Sequence, residues 1–412
     1  MLASACPGRG PSARSARRAI AVRDGLKLRR GGSERTPPVR LEYFRVMSLW
    51  HAAVGPRRRW TALIGVLAVV GLTARVVAND STASGAPAAH QRAISIVWGG
   101  DVALDAARAL PSDGQAGLSA IAAPLAGSDL ALVNLEGTLG VSGTAKCGGA
   151  SPGTCFAFQA PPEIARELAY AGIDAVNLAN NHSFDAGPAG LSATTAALDG
   201  AEMGWAGPPG SIRVMHPAGV AVALIGLAPY RWANDLRDLA IVRAQVQAAT
   251  RRAEIVVVMM HAGREGQDAS TTPMGREVAF GEDRGDTRAA AHAAIDAGAD
   301  LVLGSGPHVV RGIERYRNRL VVYSTGNLAG NDTLSLSGLY AEASLVRVRL
   351  RPDGAPVTGR VVSLALAPPG TPSVDPGRAA AHTIDAAGAR DFGSGAVRVR
   401  EDGVLSLSAA SE

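Results

Sequence analysis

Asn177-Leu178-Ala179-Asn180-Asn181-His182-Ser183-Phe184-Asp185-Ala186-Gly187 is the stretch on which the reading of this chain turns. Ahead of it, residues 162–171 place Ile164, Leu168 and Ala171 at helical spacing, and the apolar run 173–178 reads as a buried strand. The chain thus goes helix, strand, polar loop. In α/β sheets the loops at the carboxyl ends of strands carry the chemistry, and this one offers amide, imidazole and carboxylate groups within a few residues. Asn, Asp and Gly are also turn formers in their own right, so by itself the stretch leaves site and turn both open.

Outward from it the same alternation continues. Apolar runs at 94–97, 130–133, 175–178, 220–227, 255–260, 301–303 and 320–323 read as strands, with helical patterns near 162–171, 189–199, 236–252 and 287–297. Alternation of this kind predicts an α/β layered architecture for residues 93–340. Past Gly338 the pattern changes. Residues 341–350 and 357–366 look like a hairpin pair around Asp353-Gly354, 379–387 like one more helix, and 395–408 like short strands around Asp402-Gly403. Residues 341–412 are therefore expected to complete the same domain and end in a tail.

The amino-terminal part reads differently. Residues 1–60 hold fourteen Lys or Arg against three acids and show no hydrophobic period. Residues 1–46 are expected to be a disordered Arg-rich leader or a wrongly included start, with Met47 a plausible true one. From there Arg57-Arg58-Arg59 precedes the uncharged apolar run 61–74, short of the roughly 20 residues that span a bilayer but suited to a signal-peptide core. Residues 47–78 are read as a signal peptide cleaved after Ala78 or as an uncleaved anchor, and 79–92 as a flexible tether. Either way the bulk of the chain is expected outside the cytoplasm, secreted or held to the membrane by 61–74.

With the leader set aside, the electrostatics reverse. The whole chain is net +5, yet from Asn79 onward 26 basic residues face 33 acidic ones. A nucleic-acid partner is excluded on charge, because its footprint would have to lie on the folded part. Of three cysteines, Cys6 falls in the leader. Cys147 and Cys155, in a loop rich in Gly, Ser and Pro, are expected to form a disulfide rather than a metal clip.

Polar groups recur where the strands end. Gly100-Asp101 follows the first, Asn134-Leu135-Glu136 the second, and the Asn-Asn-His loop the third. His261-Ala262-Gly263-Arg264-Glu265 and Gly304-Ser305-Gly306-Pro307-His308 follow two later ones. A hard or borderline cation needs several oxygen and nitrogen donors converging from different segments, and these residue types supply them. Together with Tyr323-Ser324-Thr325-Gly326-Asn327, these blocks stand in the order and approximate spacing of the CapA family of capsule, or poly-γ-glutamate, synthesis proteins. The resemblance covers roughly residues 94–330. It implies the calcineurin-like metallophosphatase fold, a four-layer α/β/β/α sandwich, and with it a centre for one or two divalent ions, Mn, Mg or Zn.

Carried over by position, the resemblance implies Asp101, Glu136, Asn181, His261 and His308 as metal ligands and His182 as proton donor, oriented by Asp185. Glu265, Arg311 and Asn327 are candidates for substrate contacts, Glu265 also for fixing an imidazole tautomer. This chain departs from the family where a further His often precedes the Pro-His pair and Ser305-Gly306 stands instead, which reduces the expected ligand set. Arg311, Arg315, Arg317 and Arg319 read as a solvated face, which beside a metal site could pair with an anionic polymer. His292, in an alanine-rich helix, is read as a surface or packing residue, and His216 and His90 have no constellation around them.

The function these readings imply is an exported metal-dependent enzyme acting on an anionic envelope polymer or its precursor, within a polymer-synthesis complex at the membrane. The alternatives are a metal-dependent phosphoesterase or other hydrolase with an unrelated substrate, and a non-catalytic scaffold that binds the polymer.

Overall fold

Along Ile94–Ala103 the side chains Ile94, Ile96 and Trp98 enter one hydrophobic cluster and Val97 enters another. Strand residues point alternately to opposite faces, so a strand buried on both must lie between two layers. The same split recurs elsewhere: Leu224, Val257, Met259 and Leu303 face the cluster of Ile96 and Trp98, while Ile225, Val258 and Val302 face a third. Two sheets therefore share an inner core, and each has an apolar outer face. A computed structural model gives this architecture for residues 93–148 and 155–407. The leader, the apolar run 61–74 and the tether lie outside the described residues.

In the first sheet the order runs Thr371–Val374, Pro356–Ala367, Glu342–Leu350, Ile94–Ala103, Leu130–Leu135, Ala175–Asn177 and Gly204–Ala206, with Asn327–Gly330 also pairing Ile94–Ala103. The second runs Ile313–Tyr316, Arg319–Val322, Leu301–Ser305, Ile255–His261, Val222–Ala228 and Arg213–Met215, with Asn234–Asp235 beside Val222–Ala228. Pairing is parallel from Ile94–Ala103 through Gly204–Ala206 and from Val222–Ala228 through Arg319–Val322. The strands after residue 340 are antiparallel additions to the first sheet.

Helices cover both outer faces. Ile164 and Leu168 of Ile164–Tyr170 and Leu198 of Gly187–Gly200 pack on Val97, Val133 and Val176. On the other side Val242 and Val246 of Leu239–Thr250 and Ala290 and Ala294 of Thr287–Asp296 pack on Ile225, Val258 and Val302. Both of these last helices start at an aspartate cap. Asp238 accepts from Ala240 N at 2.9 Å and Asp286 from Ala289 N at 2.9 Å, satisfying amide groups the helix cannot. The layers run helix, sheet, sheet, helix, as the resemblance implied. Trp98 Nε1 donates to Gly304 O at 2.9 Å across the inner core, tying the sheets together. Among the described residues no helix is long and apolar enough to cross a membrane.

One irregularity positions the site. Trp98 pairs with Leu132 and Asp101 with Asn134, so the first strand carries one extra residue at Gly99-Gly100. Such a bulge bends its strand and re-aims the side chains beyond it. A Cβ on Gly99 would come within 2.7 Å of Leu328 Cδ2, which keeps this place small.

Candidate metal centre

Parallel strands in both sheets end at the same edge, and the polar groups collect there. Asp101 follows the bulge, Glu136 follows Leu130–Leu135, His182 lies in the loop after Ala175–Asn177, His261 closes Ile255–His261 and His308 follows Leu301–Ser305. Glu136 is at the centre. Its Oε1 lies 3.6 Å from His308 Nε2, 3.7 Å from His261 Nε2 and 3.9 Å from His182 Nε2. Asp101 Oδ2 lies 3.3 Å from His308 Nδ1, and Asp101 Oδ1 lies 3.5 Å from His261 Nδ1. Donor atoms of Asp101, Glu136 and His261 all fall within 4.8 Å of one another.

Around these groups runs a scaffold of asparagines. Asn134 Nδ2 donates to Asp101 Oδ1 at 2.8 Å and lies 3.1 Å from His261 Nδ1. Asn177 and Asn180 donate to Asn134 Oδ1 at 2.9 and 3.2 Å, and Asn180 also donates to Leu135 O at 2.8 Å. Ser305 Oγ stands 3.1 Å from His261 Nδ1 and helps to hold that ring in place. Asn327 Oδ1 meets His308 Nδ1 at 2.9 Å, and His308 itself adopts a left-handed backbone (φ 60°).

What the scaffold leaves unpaired identifies the ligand chemistry. Glu136 is fully buried, yet neither of its oxygens has a hydrogen-bond partner among the described residues; the same is true of His261 Nε2 and Asn181 Oδ1. Buried carboxylates without partners are costly, and a divalent cation is the group that would satisfy oxygen and nitrogen donors together. The residues thus fit the metal that the fold implies. Burial pushes the Glu136 carboxyl up. Asp101 feels the same burial, but hydrogen bonds and charge from His261 and His308 outweigh it and hold its carboxyl far below the usual range. Burial works against protonation of His308, yet Glu136, Asp101 and Glu265 raise its pKa well above the ordinary value.

A second constellation adjoins the first. His182 Nδ1 lies 2.7 Å from Asp185 Oδ2, which also accepts Phe158 N at 2.7 Å, while Lys146 Nζ meets Asp185 Oδ1 at 2.6 Å. Phe158 stacks on the His182 ring with centroids 4.4 Å apart. Between Lys146 and Phe158 the chain closes through the Cys147–Cys155 disulfide. The ring of His182 is therefore clamped, with Nε2 turned to Glu136.

Not every expected site residue faces a substrate. Arg311 is wholly buried: its guanidinium binds Glu277 at 3.0 and 2.7 Å, and Nε donates to Ala269 O at 2.8 Å. The expected solvated arginine face therefore does not include it, and its buried guanidinium is held within the protein. Asn327 is spent on His308. Glu265 joins the site by its position 3.8 Å from His308 Nε2, and its other oxygen pairs with Arg284 Nη2 at 2.6 Å. Asn134, Asn177, Asn180 and Ser305 lay in the quoted motifs without an assigned role. Arg284 and Lys146 gave no sequence signal, because the short segments that carry them have no apolar period. His292, stacked on Tyr316 and 2.9 Å from Glu314, is a packing residue.

Comparison with known proteins follows the same boundaries. A family model described as "Bacterial capsule synthesis protein PGA_cap" matches residues 95–332, more than half of the chain and every residue of the centre. A Mycobacterium tuberculosis protein described as "Probable polyglutamine synthesis accessory protein" is 30% identical over 268 residues, covering 58% of this chain and 66% of that one. Capsule biosynthesis protein CapA of Bacillus anthracis is 26% identical over 218 residues, covering 48% and 49%. The chain thus spans just under two thirds of the mycobacterial relative and about half of the Bacillus one. A solved Mycoplasma pneumoniae phosphatase is similar at 12% identity with a TM-score of 0.41, covering 67% of this chain and 94% of that one.

Proposed function

The chain belongs to the bacterial capsule synthesis protein PGA_cap family, and from that premise we propose that it is an exported protein of capsule or poly-γ-glutamate-type polymer synthesis or processing with a metal-centred site of hydrolase or transferase type. Glu136, fully buried with both oxygens unpaired among the described residues and facing three imidazole nitrogens at 3.6–3.9 Å, carries the reading. Asp101, Glu136, Asn181, His261 and His308 would hold the ion. When bound, a divalent cation would supply Lewis acidity at this point. His182 would hold or release a proton at Nε2, because Asp185 occupies Nδ1 and fixes the tautomer. Lys146 and Phe158 would keep that pair in register. Export is supported by the Cys147–Cys155 bridge, a bond that persists in oxidising compartments. The substrate would be an anionic polymer or its precursor, met in a polymer-synthesis complex at the membrane.

Metal analysis and turnover of an aryl phosphate, measured on the purified protein with and without added Mn2+, test the site. Stoichiometric Mn, Mg or Zn together with turnover abolished by His182→Ala would support it. A protein that holds no metal above background would instead be a scaffold for the polymer, and the enzymatic reading would fall.

A further inference from the structure

The cavity over the metal centre has a polar floor and an apolar lip. About 890 Å3 in volume, it is floored by Glu136, Asn181, His182 and His308, and its mouth is flanked by Phe156 and Phe280. These two phenylalanines are 57% and 83% exposed, unlike the apolar side chains of the buried core clusters.

Phe280 is out of place on backbone grounds as well. It and Gly281 form the two-residue turn of the hairpin Glu277–Ala279 and Glu282–Gly285, with φ of 52° and 77°. A turn with two left-handed residues favours Asn, Asp or Gly at its first position, and a bulky side chain there is an outlier. The turn gains nothing from a phenylalanine, and the side chain packs into no core cluster. An aromatic residue held in a disfavoured conformation, exposed at the edge of a donor-lined cavity, is the kind of strain that persists for a ligand. Phe156 lines the same cavity from another loop, next to the disulfide at Cys155.

We propose that Phe280 and Phe156 form a hydrophobic lip for the hydrocarbon chain of an amphiphilic anionic substrate, whose charged head enters the cavity over Glu136 and His308. The inference deepens the reading of the cavity as a metal-dependent site and rests on it. Continuity decides between occupants. The lip is the rim of the donor-lined cavity itself, so what covers it must be joined to what fills the floor. Arg231 in the cavity wall, together with a cation on Glu136, would suit an anionic head.

Titration of the full-length, Mn-loaded protein with butyl phosphate and with dodecyl phosphate below its micelle concentration reads the lip directly. Each methylene buried against it is worth roughly a fourfold gain in affinity, so a gap of at least roughly tenfold in favour of dodecyl phosphate is expected. Phe280→Asn restores the residue type the turn prefers, so the variant should melt no lower than the parent. Combined with Phe156→Ser it should close the gap while leaving butyl phosphate affinity and Mn content unchanged. Equal affinity for the two phosphates in the parent protein would overturn the proposal, as would a gap that survives in the double variant. Binding to neutral phosphatidylcholine vesicles that depends on Phe280, without a chain-length gap, would make the lip a membrane foot and would also overturn it. Should butyl phosphate fail to bind while dodecyl phosphate binds through Phe280, the lip stands and the metal-site reading fails; if neither binds, both fail.

Discussion

At the scale of single residues, Glu136 and Arg311 show how burial sorts function from architecture. Both are charged and fully buried, and only one is satisfied. Glu136→Gln removes a charge that has no hydrogen-bond partner while keeping its shape, so the metal-free variant is expected to be more stable than the parent by about 1–3 kcal/mol. The same substitution should cancel any rise in melting temperature on adding Mn2+. A parent and variant that melt together, with and without Mn2+, would show that Glu136 neither strains the fold nor holds the ion. Arg311→Leu should do the opposite. It leaves Glu277 buried without its partner and is expected to cost about 3–5 kcal/mol in urea unfolding, with ligand affinity untouched in the fraction that folds. This contrast was not legible in the sequence. His261, His308 and Glu136 stood out because they close strands, but Arg311 sits among Arg315, Arg317 and Arg319 and reads as one more solvated charge. Its partner Glu277 is 34 residues away, on a hairpin with no periodic signal.

Elements carry the next level of argument. The long strands and the covering helices were readable because apolar runs and helical spacing repeat over enough residues to be told apart. Pieces such as Asn327–Gly330 and Glu277–Ala279 are too short to show a period, and the bulge at Gly99-Gly100 exists only relative to the strand beside it. The disulfide loop is one element with a measurable consequence. Lys146 and Phe158, on either side of the bridged segment, both contact Asp185, so opening the bridge should loosen His182 as well as the loop. A Cys147→Ser, Cys155→Ser variant is expected to lose about 2–3 kcal/mol through chain entropy, and turnover should fall further than stability alone accounts for. Unchanged turnover in a folded double variant would separate the clamp from the bridge. Asp300 links three strands of the second sheet, accepting Val256 N at 2.9 Å and pairing with Arg319 Nε at 3.1 Å. Burial pushes its carboxyl up to about 6, against the opposing hydrogen bond from Val256 and the charge of Arg319. A raised carboxyl favours the folded state most when protonated. Its contribution is therefore whole below the ordinary value of 3.8 and is lost as pH rises through about 6. Urea unfolding at pH 4 and pH 7 should show the parent losing about 2–3 kcal/mol relative to Asp300→Asn over that interval; parallel profiles would contradict the shift.

The whole molecule is organised by what meets at the shared edge of its two sheets. Each polar loop was visible as a local motif, but which loops face one another depends on how the sheets pack, and sequence distance conceals it. Asn134 and His261 lie 127 residues apart and Asp101 and Gly306 205, yet both pairs are in contact. Asp101 and Glu136 come from the first sheet, His261 and His308 from the second. An ion there would grip both sheets and would be absent from the unfolded chain, so binding free energy adds directly to folding. At a hundredfold excess over its dissociation constant the gain is about 2.7 kcal/mol. The melting temperature should therefore rise by several degrees with Mn2+ and fall back with a chelator, as one cooperative transition because the ion spans both sheets. His261→Ala removes the second sheet's innermost donor and should abolish the rise, whereas His292→Ala, remote from the edge, should leave it intact. A rise that persists in both His261→Ala and His308→Ala would place the ion on one sheet alone, and the two-sheet centre would have to be abandoned.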